Sequence, residues 1–379
     1  MATVPGDLRS AVAAALAAPG FDGAEVSASV WIQGIGEVAG LGLDRPLLPA
    51  SNQKLLTAMG ALALLGPDHR VATQVLHAGD DLVLVAGGDP ALTRTGPHSL
   101  AALAAQVRAS GVTRVAGELV VDVSRYGRAV RAPGWQAWHV PTYAGPLSAL
   151  TVDGNRHRTD PAFLADPATG NGEAFRAALA AAGVDVSGRT VVGTAPTGAR
   201  SVASLTSASV VELVQEMLLV SDNEHAEFLV REVGRVELGR GTTRAGAAAI
   251  TAWLEEQCLD LEGRSSDGSG LSRTNARTAR DLREVLQFAA GQPWWPALVA
   301  GLPVSGRSGT LAGRLDGPAT AGQVRAKTGT ILVGSALSGY ATTTGGRLIT
   351  FSVIANHPDP TPLAAAIDGL VTTVVAWPG

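Results

Sequence analysis

The chain has 379 residues, 46% hydrophobic and 16% charged, with a formal net charge of −4 and a single cysteine, Cys258. That composition belongs to an ordered protein long enough for more than one domain, and it excludes an intrachain disulfide and a multi-cysteine metal cage. There is no basic stripe, no His-Glu-x-x-His motif and no apolar run near 18 residues, which argues against nucleic-acid binding, zinc hydrolysis and membrane spanning.

The Ala-rich stretch 1–20 reads as a first helix. It lacks the continuous apolar run behind a basic start that marks a signal peptide, so the expectation is a mature chain without one. Residues Glu25 to Gln33 alternate, with Val26, Ala28, Val30 and Ile32 on one face, and a Gly-rich turn with a second apolar segment completes a hairpin. An apolar helix follows from Ser51 to Leu65, stopped by Gly66-Pro67.

From 68 to 200 the texture changes. Short strands are expected at Val71–His77, Leu82–Ala86 and Gly117–Val123, and helices at Ser99–Ser110 and Glu173–Gly183. Helices then return at Ser209–Val220, Glu224–Leu238, Thr243–Cys258 and Thr278–Ala290. The chain closes with strands at Gly322–Thr330, Ala336–Thr342 and Leu348–Asn356 and a helix from Pro362 to Val375.

Among the 29 basic side chains only Lys54 and Lys327 are lysines. Arg replaces Lys as a solvated charge but stays protonated, so it cannot replace Lys as a proton acceptor. Lys54 lies in Ser51-Asn52-Gln53-Lys54, where helical spacing puts the amine one turn from the Ser51 hydroxyl. A serine hydroxyl is a weak nucleophile until a base takes its proton, and a lysine with a depressed pKa serves as that base. Lys327 opens Lys327-Thr328-Gly329-Thr330 at the end of an expected strand, where Gly329 would let a substrate backbone approach. Between them stands Ser221-Asp222-Asn223. Alone, each motif has a bland reading: a helix-capping Ser with a solvated Lys, an N-cap, and a strand with an exposed charge. Together, in the order Ser-x-x-Lys, Ser-x-Asn, Lys-Thr-Gly, with both lysines inside motifs, they point to a serine acyl-enzyme site.

The spacing of 170 residues from Ser51 to Ser221 leaves room for an inserted domain. Further segments are Gly87-Gly88-Asp89-Pro90-Ala91-Leu92-Thr93, Asp267-Gly268-Ser269-Gly270-Leu271-Ser272-Arg273 and Leu302-Pro303-Val304-Ser305-Gly306. With them the chain resembles the class C low-molecular-mass penicillin-binding proteins, the D-alanyl-D-alanine carboxypeptidases and endopeptidases. The resemblance implies an α/β penicillin-recognising fold, with an antiparallel sheet flanked by helices in residues 1–67 and 201–379, interrupted by an inserted α/β domain over 68–200. It implies that Ser51 attacks a D-Ala-D-Ala or β-lactam carbonyl, Lys54 takes the proton, and Ser221 relays it to the leaving amine beside Lys327. Asn223 would hold the peptide amide, Thr328 and Thr330 the terminal carboxylate, and the backbone N–H groups of Ser51 and Thr330 the oxyanion. Arg273 would face substrate.

Two departures stand out. Val152-Asp153-Gly154-Asn155 runs almost directly into 160–183, so the third domain nested in the second by many members is expected to be absent. The segment from Trp135 to Tyr143 carries two tryptophans and a tyrosine, without the acid that members often have there, although Asp122 or Asp267 could fold into that place. Trp135 and Tyr143 either contact substrate or pack a lid. Cys258 reads as a small buried hydrophobe, and His225 as facing solvent or capping a helix.

The expected function is a D,D-carboxypeptidase or endopeptidase acting on peptidoglycan stem peptides, acylated by β-lactam antibiotics, outside the cytoplasm. No cofactor, metal or nucleic acid is expected, nor a transmembrane segment in this chain. The alternatives are a β-lactamase or esterase of the same fold, distinguished by fast turnover, and a peptidoglycan-binding protein with a vestigial site.

Overall fold

The computed structural model describes residues 4–156 and 162–379. By internal contacts the chain divides into two units. One takes residues 4–67, 211–226 and 247–379; the other takes 68–156, 162–210 and 227–246.

The first unit is built on a five-stranded antiparallel sheet. Its order is Val324–Ile331, Gly334–Thr342, Leu348–Asn356, Glu25–Ile32, Gly36–Leu41. The alternation seen in the sequence decides its faces. Val26, Ala28, Val30 and Ile32 join Phe351, Val353 and Leu337 in one core, closed by Leu8 and Val12 of the helix Gly6–Leu16 and by Ile367, Leu370 and Val374 of the helix Leu363–Val375. Each such buried Val, Leu, Ile or Phe contributes about 1.5–3 kcal/mol.

The opposite face is polar in sequence yet buried. Ser27 accepts a hydrogen bond from Ala279 N at 2.9 Å, and Ser29 one from Arg283 Nε at 2.9 Å. The helix Ala279–Ala289 therefore covers that face, entered through a capping box between Thr278 and Asp281. The sheet is thus flanked by helices on both sides, the arrangement expected.

The second unit has its own five-stranded sheet, ordered Thr190–Gly193, Leu119–Asp122, Asp81–Val85, Ala72–Ala78, Arg200–Thr206. The first three strands pair in parallel, and Ala72–Ala78 pairs antiparallel with both of its neighbours. The helices Leu100–Ala109 and Pro167–Ala181 bury Leu103, Val107, Phe175 and Leu179 with Leu82, Leu84, Leu119 and Val121 of this sheet.

Several elements differ from the sequence expectation. The first helix ends at Leu16, and Met1 to Thr3 lie outside the described residues. The helix expected from Glu173 begins at Pro167, because Asp166 accepts from Thr169 N and Pro167 takes the first helical position. Of the segment 160–183, Asp160 and Pro161 lie outside the described residues. Cys258 is exposed rather than buried: it sits just past the helix Thr243–Glu256 with φ +62°, in the turn that ends it.

Candidate active site

The three motifs meet within the first unit. Ala50, at φ +48°, turns the chain sharply into a short 3₁₀ turn, Ala50–Asn52, that runs on into the helix Gln53–Gly60. Ser51 is held in that turn, with Lys54 one turn along.

Lys54 is fully buried. Its Nζ lies 3.0 Å from Ser51 Oγ, 2.7 Å from Asn223 Oδ1 and 2.7 Å from the Ser269 carbonyl. The last two partners only accept. An uncharged lysine that gives each of them an N–H has one lone pair left, on the side of the Ser51 hydroxyl. This geometry sets up proton removal from Ser51.

Lys327 is also fully buried, on the strand Val324–Ile331. It donates to Ser221 Oγ at 2.9 Å and to the Thr328 carbonyl at 2.8 Å. Burial pulls its pKa well below the ordinary lysine value, and the nearby charge of Lys54 pulls it further. Ser221 takes φ +64° in the bend between the helices Val210–Val220 and Asn223–Leu238. That bend lets Ser221 reach Lys327 while Asn223, at the start of the next helix, reaches Lys54.

Asp222 caps the second of those helices by accepting from His225 N at 2.8 Å. His225 does not face solvent: its ring Nδ1 stands 3.1 Å from Asp222 Oδ1, with a side chain only 14% exposed. Burial opposes charge on both groups, yet their mutual attraction prevails. It raises the His225 pKa and lowers that of Asp222 to about 2.

Gly329 has a packing role beside the expected one. A Cβ there would lie 2.9 Å from the Pro49 carbonyl and 3.1 Å from both Ala50 Cβ and Asn52 Nδ2. The missing side chain makes room for the turn that carries Ser51. Thr328 is buried and donates to Thr310 Oγ1 at 2.7 Å, whereas Thr330 is exposed. Arg273 is exposed, and among the described residues it forms no ion pair and no hydrogen bond.

Trp135 and Tyr143 belong to the second unit. Trp135 is buried, Tyr143 is 43% exposed, and Trp138 and Tyr143 stack edge to face with ring centroids 5.8 Å apart. Buried His139 lies beside both, 4.2 Å from Trp138 and 6.0 Å from Tyr143. Asp122, in the same unit, is committed to the backbone N–H groups of Ser124 and Ala195 at 2.9 and 2.7 Å.

Two contributors were not read from the sequence, the Ser269 carbonyl and Thr310. A backbone acceptor leaves no signature in residue type. The Gly-rich Asp267–Gly270 run is the available hint, and residue type alone does not say which of its carbonyls meets an amine. Thr310 follows the Leu302–Gly306 segment without a pattern of its own.

The profile of the D-Ala-D-Ala carboxypeptidase 3 (S13) family matches residues 8–162 and 159–374. Carboxypeptidase DacB of Mycolicibacterium smegmatis is 37% identical over 97% of this chain and 83% of its own length. The D-alanyl-D-alanine carboxypeptidase of an Actinomadura species is 33% identical over 88% and 78%. Among solved structures, penicillin binding protein 4 (dacB) from Haemophilus influenzae superposes with a TM-score of 0.87, at 21% identity over 97% of this chain and 99% of that one. The same protein has been solved in complex with a β-lactam. These matches agree with the resemblance carried by the motifs, and the chain belongs to the D-Ala-D-Ala carboxypeptidase 3 (S13) family and shares the fold of penicillin binding protein 4.

Proposed function

We propose that this chain is a serine-type D,D-carboxypeptidase or endopeptidase that cleaves peptidoglycan stem peptides outside the cytoplasm and is acylated by β-lactams. The observation that carries the reading is the placement of Lys54 Nζ between Ser51 Oγ, Asn223 Oδ1 and the Ser269 carbonyl.

In this mechanism the Ser51 oxygen attacks the carbonyl of the penultimate D-alanine, and its proton passes to the Lys54 lone pair. The backbone N–H groups of Ser51 and Thr330 receive the developing oxyanion, a donor of this kind contributing about 3 kcal/mol. The intermediate breaks its C–N bond, and the leaving amine takes a proton through Ser221, whose oxygen Lys327 holds at 2.9 Å. Water then releases the acyl group from Ser51 by the reverse proton path.

Asn223 keeps its oxygen on Lys54 and so presents Nδ2 as a donor to the substrate amide carbonyl. Thr330, and Thr328 once its O–H turns from Thr310, bind the terminal carboxylate, with Lys327 supplying positive potential behind them. In a β-lactam the scissile amide is cyclic, so its leaving amine stays tethered to the acyl-enzyme.

Among the described residues no helix is long and apolar enough to cross a membrane. The test is release of D-alanine from a diacylated lysyl-D-Ala-D-Ala peptide. The wild-type chain releases it and Ser51→Ala does not; release by Ser51→Ala at the wild-type rate contradicts the reading.

A further inference from the structure

The geometry points to Asp267 as a positioning residue for the reaction at Ser51: its carboxylate knits residues 267–275 into a fixed loop whose Ser269 carbonyl holds the Lys54 amine in line with the Ser51 hydroxyl. The inference rests on the active-site reading above.

Asp267 is almost wholly buried. Its Oδ1 accepts from Gly270 N at 2.9 Å and from Asn275 Nδ2 at 2.7 Å. Its Oδ2 accepts from Ser272 N at 2.7 Å and from Ser269 Oγ at 3.2 Å. Asn275 closes the ring by accepting from Ser266 N at 2.7 Å. One carboxylate thus fixes residues on both sides of the Ser269 peptide.

The loop is tied to the nucleophile at three places. The Ser269 carbonyl meets Lys54 Nζ at 2.7 Å. The Gly268 carbonyl accepts from Thr57 Oγ1 at 2.7 Å, one helical turn after Lys54 on the same face. Gly270, at φ +88°, lies so close that a Cβ would sit 1.9 Å from the Ala50 carbonyl oxygen and 3.0 Å from Ser51 N. Loop, base and nucleophile form one packed body, and the loop's shape depends on a group that accepts with both oxygens.

Asparagine has nearly the shape of aspartate but one acceptor. Each Asp267 oxygen faces a backbone N–H, so either orientation of the amide sets an NH₂ against a donor. Asp267→Asn therefore shifts the loop, and with it the Ser269 carbonyl that holds the Lys54 amine, while the Ser51 and Lys54 side chains stay chemically intact and the carboxylate-binding strand keeps its place. Thr57→Val cuts the second tie from the helix side, and Thr57→Ser keeps it.

Stopped-flow acylation by a chromogenic cephalosporin separates the dissociation constant of the first complex from the acylation rate constant. Asp267→Asn is expected to cut the acylation rate constant about 10- to 100-fold, the cost of an ångström-scale misplacement of a reacting group, and to leave the dissociation constant unchanged. Thr57→Val is expected to slow acylation in the same way, and Thr57→Ser to restore it. A folded Asp267→Asn protein that acylates at the wild-type rate overturns the inference. If that variant does not fold, the Thr57 pair decides: wild-type rates in Thr57→Val overturn it, and slowing that Thr57→Ser reverses supports it. A wild-type chain with no adduct on Ser51 sinks the active-site reading and this inference together. A reactive wild type with indifferent variants sinks only the inference.

Discussion

Replacing Lys54 by Arg keeps the positive charge and removes the ability to accept a proton, so it separates a base from a cation. The amine is fully buried, with partners at 3.0, 2.7 and 2.7 Å. A guanidinium offers donors to all three and a lone pair to none. General-base catalysis is worth about 10²- to 10⁴-fold, or roughly 2.7–5.4 kcal/mol of barrier, and that is the expected loss in acylation rate. The larger side chain also overpacks the site, at a cost of about 1–3 kcal/mol in stability. Melting is therefore measured alongside, with Lys54→Met as a neutral variant of similar length. The assay is the second-order rate of acylation by a chromogenic cephalosporin. Lys327→Arg serves as the comparison, because Lys327 only donates, to Ser221 and to the Thr328 carbonyl. It is expected to lose about tenfold, the scale of one hydrogen bond. Acylation by folded Lys54→Arg at or near the wild-type rate would refute Lys54 as the base.

Three further outcomes are expected. Gly270→Ala places a methyl 1.9 Å from the Ala50 carbonyl at φ +88°, so it should lower the melting temperature and slow acylation together; an unchanged protein contradicts the packing described. The His225–Asp222 pair should give a stability optimum in mildly acid solution. The raised His225 pKa adds stability that is complete below about 6.5 and fades as pH rises through the folded value. The Asp222 pKa, lowered from 3.8 to about 2, adds stability present above 3.8 and lost as pH falls towards 2. Comparing the melting temperature of wild type with His225→Gln from acid to mildly alkaline pH tests this, and a constant difference between them would contradict it. Finally, with no acid between Trp135 and Tyr143, kcat/KM should differ little between a stem peptide with a free side-chain amine and its N-acetylated form. A preference for the free amine of about 100-fold, or 2.7 kcal/mol, exceeds what aromatic contacts supply and would reveal a carboxylate partner.

Most of the site was legible because its chemistry constrains residue types at fixed spacings. Lys54 stood out since Arg cannot replace it, and the i, i+3 relation to Ser51 survives although Ser51 sits in a 3₁₀ turn ahead of the α-helix proper. The strands Glu25–Ile32 and Leu348–Asn356 were readable from alternation and β-branched content. What escaped was set by tertiary context. Gly329 looked like an opening for substrate, and only the fold reveals that it also makes room for Pro49 to Asn52. Ser27 and Ser29 look like a solvent face, yet the helix Ala279–Ala289 covers them and uses their hydroxyls. Lys54 takes one of its partners from a carbonyl 215 residues away, and no side-chain pattern announces a backbone acceptor.

The most direct test of the account is intact mass spectrometry of the chain after incubation with benzylpenicillin, followed by peptide mapping. A single penicilloyl group on Ser51, absent from Ser51→Ala and formed far more slowly by Lys54→Arg, is the predicted result. No adduct at any concentration, or one on a different serine, would contradict it.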